Sequence, residues 1–338
     1  MIEIDGSYLE GGGQILRTAI ALSAITQKPI HIFNIRKGRN KPGLRPQHLE
    51  GIKTAAEICN ASLEGANLSS AEVIFKPGKL KGGSFTIDTK TAGSITLILQ
   101  TLVPLGVFAN APLQLLMKGG TAVPFAPTIE YFQNILCHFL KIMGIPIFIE
   151  IKRHGFYPKG GGEVAVKLEP NEIKNINLIE RGELQKIDVM SVASNHLRQA
   201  KVAERMIDGF KKILPKVNVK LQYVDTLSPG CFISSHALFE NGKVGADALG
   251  KIGKRAEDVG LDAAKELKKE IDSNAPMDYW MVDQIIPYMA LATFETKETS
   301  KIKIPQLTKH AETNIWVVKK ILPVNFETKN SIMTCTAM

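Results

Sequence analysis

The sequence predicts a mixed α/β fold in which one helix–strand–loop–helix–strand unit occurs three times and a smaller α/β unit is inserted between the second and third copies. Two observations predict it. Apolar, helix-like runs open in related ways at Gly13-Gln14-Ile15-Leu16, Gly93-Ser94-Ile95-Thr96-Leu97 and Asp283-Gln284-Ile285-Ile286, and each leads into a short strand pattern and then a polar loop. Between about Arg181 and Asn274 the composition becomes more charged and the repeat is interrupted. The expected large domain is therefore residues 1–181 with 275–338, and the expected insertion is residues 182–274.

The chain starts with a strand-like Met1-Ile2-Glu3-Ile4 closed by an Asp5-Gly6 turn. The first copy runs from its helix into the strand Pro29-Ile30-His31-Ile32-Phe33, a basic loop from Arg36, and a second helix from His48 to Cys59. In the second copy the strand is Pro112-Leu113-Gln114-Leu115-Leu116, the loop is Lys118-Gly119-Gly120, and the helix runs from Thr128 to Met143. The insertion reads β-α-β-β-α: strands Lys186 to Ala193, Asn218 to Asp225 and Cys231 to Phe239, with helices His196 to Leu214 and Arg255 to Asp272. The third copy has the strand Lys301 to Ile304, the loop Lys309-His310, and a helix from Thr313 to Ile321. Pseudo-symmetry would gather Arg36 to His48, Gly119 to Thr121 and His310 around one centre.

Composition narrows the function classes. At 44% hydrophobic and 22% charged residues the chain can bury a large core. No run of about eighteen apolar residues occurs, and the N-terminus lacks a basic-then-apolar leader, so neither membrane spanning nor secretion is expected. Cys59, Cys137, Cys231 and Cys335 are scattered without C-x-x-C spacing, which predicts a reducing cytoplasm and no structural zinc. A net charge of +9 favours a polyanionic partner.

Four segments carry candidate chemistry. Glu10-Gly11-Gly12-Gly13-Gln14-Ile15-Leu16-Arg17 sets a carboxylate before a glycine run and an arginine in a first helical turn, where phosphate and a divalent cation can be held. Arg36-Lys37-Gly38-Arg39-Asn40-Lys41-Pro42-Gly43-Leu44-Arg45-Pro46-Gln47-His48 supplies forked donors suited to phosphate oxygens, on a loop shaped by proline. His154-Gly155-Phe156-Tyr157-Pro158-Lys159-Gly160-Gly161-Gly162 leaves backbone N–H groups that can face an anion, or else forms a tight glycine turn ending a strand. Lys309-His310-Ala311-Glu312-Thr313-Asn314 puts an imidazole just ahead of a helix, where its neutral form can attack phosphorus.

Taken in order over nearly the whole chain, these segments with Val282-Asp283-Gln284 resemble the RNA 3'-terminal phosphate cyclases. The resemblance implies three pseudo-symmetric repeats of two helices and a four-stranded sheet, similar to the C-terminal part of translation initiation factor three, with a smaller inserted α/β domain. It implies ATP-dependent conversion of an RNA 3'-phosphate into a 2',3'-cyclic phosphodiester through AMP carried on His310. By the same resemblance Glu10 would ligand Mg²⁺ or Mn²⁺, and Gln100, Pro127, Trp280, Asp283 and Gln284 would surround the nucleotide. Arg17, Arg36, Arg39, Lys41, Gln47 and His48 would hold phosphates of ATP or RNA.

The chain departs from bacterial members at Trp280, where they have Tyr, and near Leu249, where an aromatic covers adenine; both changes bear on the base contact. Two other readings are set beside this one. A non-catalytic, cyclase-like ribosome-assembly factor would lack the nucleophile that His310 supplies, and an enolpyruvyl transferase would share the repeated architecture without forming an adenylylated histidine. The partner expected is an RNA end bearing a 3'-phosphate, with no membrane role and the oligomeric state left open.

Overall fold

A computed structural model describes residues 1–338. Three units share one topology. The first comprises β1 (Ile2–Asp5), α1 (Gly13–Thr26), β2 (Ile30–Phe33), α2 (Pro46–Cys59), β3 (Ser62–Glu64) and β4 (Val73–Lys76), with sheet order β1-β2-β4-β3. The second comprises β5 (Gly83–Asp88), α3 (Ile95–Phe108), β6 (Leu113–Gly119), α4 (Ile129–Tyr131) continuing through a π-helical turn Phe132–Leu136 into α5 (Cys137–Ile142), β7 (Ile147–Arg153) and β8 (Gly162–Leu168), ordered β5-β6-β8-β7.

The third unit is split by the insertion. Its first strand, β9 (Asn177–Leu178), precedes the inserted segment, and α8 (Met281–Thr296), β14 (Ser300–Lys303), α9 (Lys309–Ile321), β15 (Val324–Lys329) and β16 (Ile332–Ala337) follow it. In each unit the first two strands pair in parallel and the other pairings are antiparallel, as β1 with β2, β5 with β6 and β9 with β14 show. The parallel pair is joined by the unit's first helix, as a parallel crossover requires.

The inserted segment has its own sheet, β11-β10-β12-β13, from β10 (Leu184–Ser194), β11 (Asn218–Val224), β12 (Cys231–Phe239) and β13 (Lys243–Leu249), covered by α6 (Val202–Lys211) and α7 (Ala256–Asp272). Its 15-residue core cluster, around Met206, Phe210, Ile233 and Leu267, is separate from the 66-residue cluster that runs unbroken through the other three units. One core under three sheets means that the helices pack mostly on one another: α1 on α3 and α9, α2 on α3, and α8 on α9.

The differences from the sequence reading are local. The expected helix from His196 is delayed to Val202, because Asn195–Leu197 form a 3-10 turn and Lys201 takes a left-handed φ of 49°. Strand β13 was not expected; its small residues, Gly245, Ala246 and Ala248, give weak strand signal. His310 lies inside the first turn of α9, not ahead of it, because Thr308 caps that helix by accepting from the Ala311 N–H at 2.8 Å.

Candidate active site

The helix α1 starts without a side-chain cap and without an acidic residue in its first turn, so its N–H groups and positive dipole end are open to an anion. Backbone glycine there is a steric requirement. A Cβ on Gly13 would stand 2.2 Å from His48 Nε2. His48 is 7% exposed, and its Nδ1 accepts the Arg45 N–H at 3.2 Å, which leaves the proton on Nε2, facing α1. Burial, with Arg17, Arg36 and Arg45 nearby, pushes its pKa down to about 3, so it presents a neutral N–H donor and no charge.

Gln14, in the same first turn, ties α1 to α9. Its Nε2 donates to the His310 carbonyl and its Oε1 meets the His310 Nδ1. The amide can donate only from nitrogen, so the oxygen on Nδ1 must be an acceptor and Nδ1 must carry the proton. The lone pair of the neutral ring is then on Nε2. Burial lowers the His310 pKa; Glu10 opposes the fall, and Arg17 and Arg39 add to it. The ring is half-buried, neither sealed in apolar packing nor remote from the arginines.

One turn further along both helices, Thr18 donates from Oγ1 to Asn314 Oδ1 at 2.7 Å, and Asn314 Nδ2 donates to the Asp283 carbonyl at 2.7 Å. This joins α1, α9 and α8. Gln100 on α3 donates from Nε2 to Gln284 Oε1 at 2.8 Å, and Gln284 Nε2 donates to the Trp280 carbonyl at 2.9 Å. Gln14, Arg17, Thr18, Gln100, Asp283, Gln284 and Asn314 line one pocket where the first helices of all three units meet. Burial pushes Asp283 up to about 7 against the opposing field of Arg17, and pushes Arg17 down to about 10 against that of Asp283.

Arg39 reaches across from the β2–α2 loop, donating from Nη2 to the Glu10 carbonyl at 2.8 Å and meeting Glu10 Oε2 at 3.3 Å. Arg36 turns inward, and its Nη1 donates to the carbonyls of Lys41 at 2.6 Å and Gly43 at 2.9 Å, which buckles the loop and leaves Arg39 and Lys41 exposed on its outside. Gln47 is half-buried beside His48. Pro127 accepts Thr96 Oγ1–H at 2.9 Å, and Trp280 is 50% exposed with its ring edge-on to Tyr279.

No group of three or more His, Cys, Asp or Glu side chains is arranged to hold a metal. Glu10 is the one carboxylate in the β1–α1 loop beside the arginines, and its Oε1 is not bound by Arg39. That donor set fits a hard cation such as Mg²⁺, which takes one or two carboxylates and completes its shell with phosphate oxygens and water.

One segment departs from the sequence expectation, and a second takes the tight-turn reading that the sequence also allowed. The Gly119–Thr121 loop finds its partners in Gly93, His154 and Gly155, not in the Arg36–His48 loop. The glycine block after Tyr157 is a packed turn: a Cβ on Gly160 would stand 2.5 Å from the Thr91 carbonyl oxygen, and one on Gly162 2.8 Å from the Gly155 nitrogen. Close backbone explains Gly155, Gly160 and Gly162, and a φ of 77° with the Leu227 side chain alongside explains Gly161, so anion binding is not needed to account for the glycines. Gln14, Thr18 and Asn314 were absent from the candidate site residues. The signal was present: Gln14 with Thr18, and His310 with Asn314, are each four apart and share a helix face.

The family model for RNA 3'-terminal phosphate cyclase matches residues 8–328. A protein named RNA 3'-terminal phosphate cyclase from Caldivirga maquilingensis is 46% identical, covering 98% of this chain and 95% of its own. Those from Pyrococcus furiosus and Methanopyrus kandleri are 44% and 41% identical, covering 98% and 97% of this chain and 96% and 95% of their own. A solved enolpyruvyl transferase, NikO from Streptomyces tendae, aligns at a TM-score of 0.30 and 13% identity over 50% of this chain and 33% of its own, too little to bear on fold or activity. No helix is long and apolar enough to cross a membrane.

Proposed function

Because the chain belongs to the RNA 3'-terminal phosphate cyclase family, we propose that it uses ATP to close an RNA 3'-phosphate into a 2',3'-cyclic phosphodiester, with His310 carrying AMP between the two substrates. The observation that carries the reading is the pair of hydrogen bonds between Gln14 and His310, which holds a neutral ring with Nε2 unprotonated beside an uncapped helix start.

The steps follow from charge and protonation. The His310 Nε2 lone pair attacks the α-phosphorus of ATP, the N–P bond forms, and the bond to pyrophosphate breaks. The proton stays on Nδ1 and is donated to Gln14 Oε1, so the positive ring that results is stabilised without a base. Arg17, Arg39 and Lys41, with the N–H groups opening α1, neutralise the phosphates, and a divalent cation on Glu10 would add to that neutralisation. An oxygen of the RNA 3'-phosphate then attacks the same phosphorus, the N–P bond breaks, and its electrons return to Nε2. Finally the adjacent 2'-hydroxyl oxygen attacks the RNA phosphorus, AMP leaves, and the hydroxyl proton passes to solvent. Here the protein's work is alignment and charge neutralisation. Gln100, Pro127, Trp280, Asp283 and Gln284 are the groups we assign to the nucleotide, and Arg36, Gln47 and His48 to the shape of the phosphate loop. Residues 182–274 are assigned as an inserted domain on a body of residues 1–181 and 275–338, which the separate sheet and core support.

The test is product analysis. RNA ending in a 3'-phosphate, incubated with ATP and Mg²⁺, should acquire an end resistant to phosphatase, with AMP and pyrophosphate released in equal amounts. An end that stays phosphatase-sensitive while ATP is consumed would overturn the proposal.

A further inference from the structure

A groove lies on the outer face of α9, against β15, and nothing in the reaction just described uses it. On one side Tyr8 and Trp316 stack with ring centroids 4.1 Å apart and planes 15° apart, and Tyr8 remains 38% exposed. Phe326 lies on the β15 side. Lys320 sits 5.6 Å from the centre of the Trp316 ring, and Lys319 donates to Asn325 Oδ1 at 2.9 Å. Neither lysine has a carboxylate within ion-pair reach, although Glu312 lines the other end of the groove.

We propose that this groove binds the single-stranded nucleotides that precede the reacting RNA end, the bases stacking on the Tyr8–Trp316 platform and their phosphates meeting Lys319 and Lys320. The inference rests on the cyclase reading and extends it. Tyr8 lies in the same β1–α1 loop as Glu10, two residues before it, which sets one side of the groove on the loop that carries the candidate metal ligand. From Glu312 to Lys320 the helix advances about 12 Å, enough for about three stacked nucleotides at about 3.4 Å each. Parallel aromatic rings, Tyr8 exposed and Trp316 half-buried, flanked by lysines without a carboxylate partner are a composition that binds single strands without regard to sequence, because every base has a π face. The chain's charge of +9 has the sign such a partner needs.

The binding implies a substrate preference. A tail threaded along this groove must be unstacked from any duplex, so a 3'-phosphate on a frayed or overhanging end is favoured over one on a blunt helix.

The test compares cyclisation of a longer single-stranded oligonucleotide 3'-phosphate with that of a dinucleotide 3'-phosphate. The enzymes are the parent, Trp316→Ala, and a Lys319→Glu/Lys320→Glu double variant whose changes are confined to exposed positions. KM for the longer substrate should rise about ten-fold or more in either variant, with kcat, adenylylation by ATP alone and the dinucleotide reaction unchanged. An unchanged KM on the longer substrate, an equal rise on both substrates, or lost adenylylation would overturn the groove assignment. Should the parent cyclise neither substrate, the function reading falls, and fluorescence anisotropy of an unphosphorylated oligonucleotide then judges the groove alone. Weaker binding by both variants supports the groove assignment, and equal binding overturns it.

Discussion

Gln14 and His310, 296 positions apart in the chain, are joined twice, ring to amide oxygen and carbonyl to amide nitrogen. The pair sets both which imidazole nitrogen is free and where it points. Gln14→Leu should therefore leave a folded protein that has lost about 1 kcal/mol for the unpaired Nδ1–H, and should slow adenylylation about 10²-fold through misorientation. Steady-state rates beside thermal melts check this.

Gln14→Glu separates orientation from charge. In the parent, His310 titrates below its ordinary 6.5, chiefly because it is buried, so its loss of the neutral ring should fall on the acid side of a free imidazole's. A carboxylate on Nδ1–H favours the charged ring and raises its pKa, so the acid limb of the pH–rate profile should move upward. An unmoved limb would mean that another group titrates.

Arg39→Ala removes an exposed side chain whose partners are both on Glu10. Stability should change by no more than about 0.5 kcal/mol, whereas kcat/KM for ATP should fall about ten-fold or more. Equal losses of stability and activity would assign the residue to folding alone.

Gly13→Ala places a methyl against the His48 ring and should cost about 1–3 kcal/mol. His48→Ala opens that space, so the double variant should recover part of the loss, a coupling that denaturant melts of all four proteins would measure.

How much of this was legible in the sequence depends on what sets each element. The helices opening the three units were legible because their apolar runs begin at related residues, Gly13, Gly93 and Asp283. The third unit's first strand was not: Asn177–Leu178 is two residues long and is separated from its helix by the whole insertion. At the site, Glu10, Arg17, Arg39 and His310 could be named because charge and glycine context mark them. Gln14, Thr18 and Asn314 work through hydrogen bonds between α1, α8 and α9, and only the packing of those helices shows which polar side chains meet. The glycine block from His154 shows the converse, a conspicuous motif whose glycines serve close backbone packing.

That block borders a buried acid. Both carboxyl oxygens of Glu130 lack a hydrogen-bond partner, His154 Nε2 lies 3.5 Å from one of them, and burial pushes Glu130 up to about 8 from 4.5. The folded protein keeps this proton while the unfolded chain loses it above pH 4.5, so the site subtracts stability as pH rises from 4.5 to about 8. His154, pushed down to about 4 from 6.5 by burial, contributes with the opposite sign between those two values, which leaves pH 6.5 to 8 as the clear window. Glu130→Gln should melt progressively higher than the parent as pH rises through that window. A constant difference would show that the acid is already ionised in the folded state.

The central claim is that Nε2 of His310 becomes bonded to phosphorus. Protein incubated with α-labelled ATP and Mg²⁺, without RNA, should retain label in an acid-labile, alkali-stable bond, on the peptide containing His310, and His310→Ala should retain none. Label that persists in His310→Ala, or a parent protein that never acquires label while it still cyclises RNA, would contradict the account.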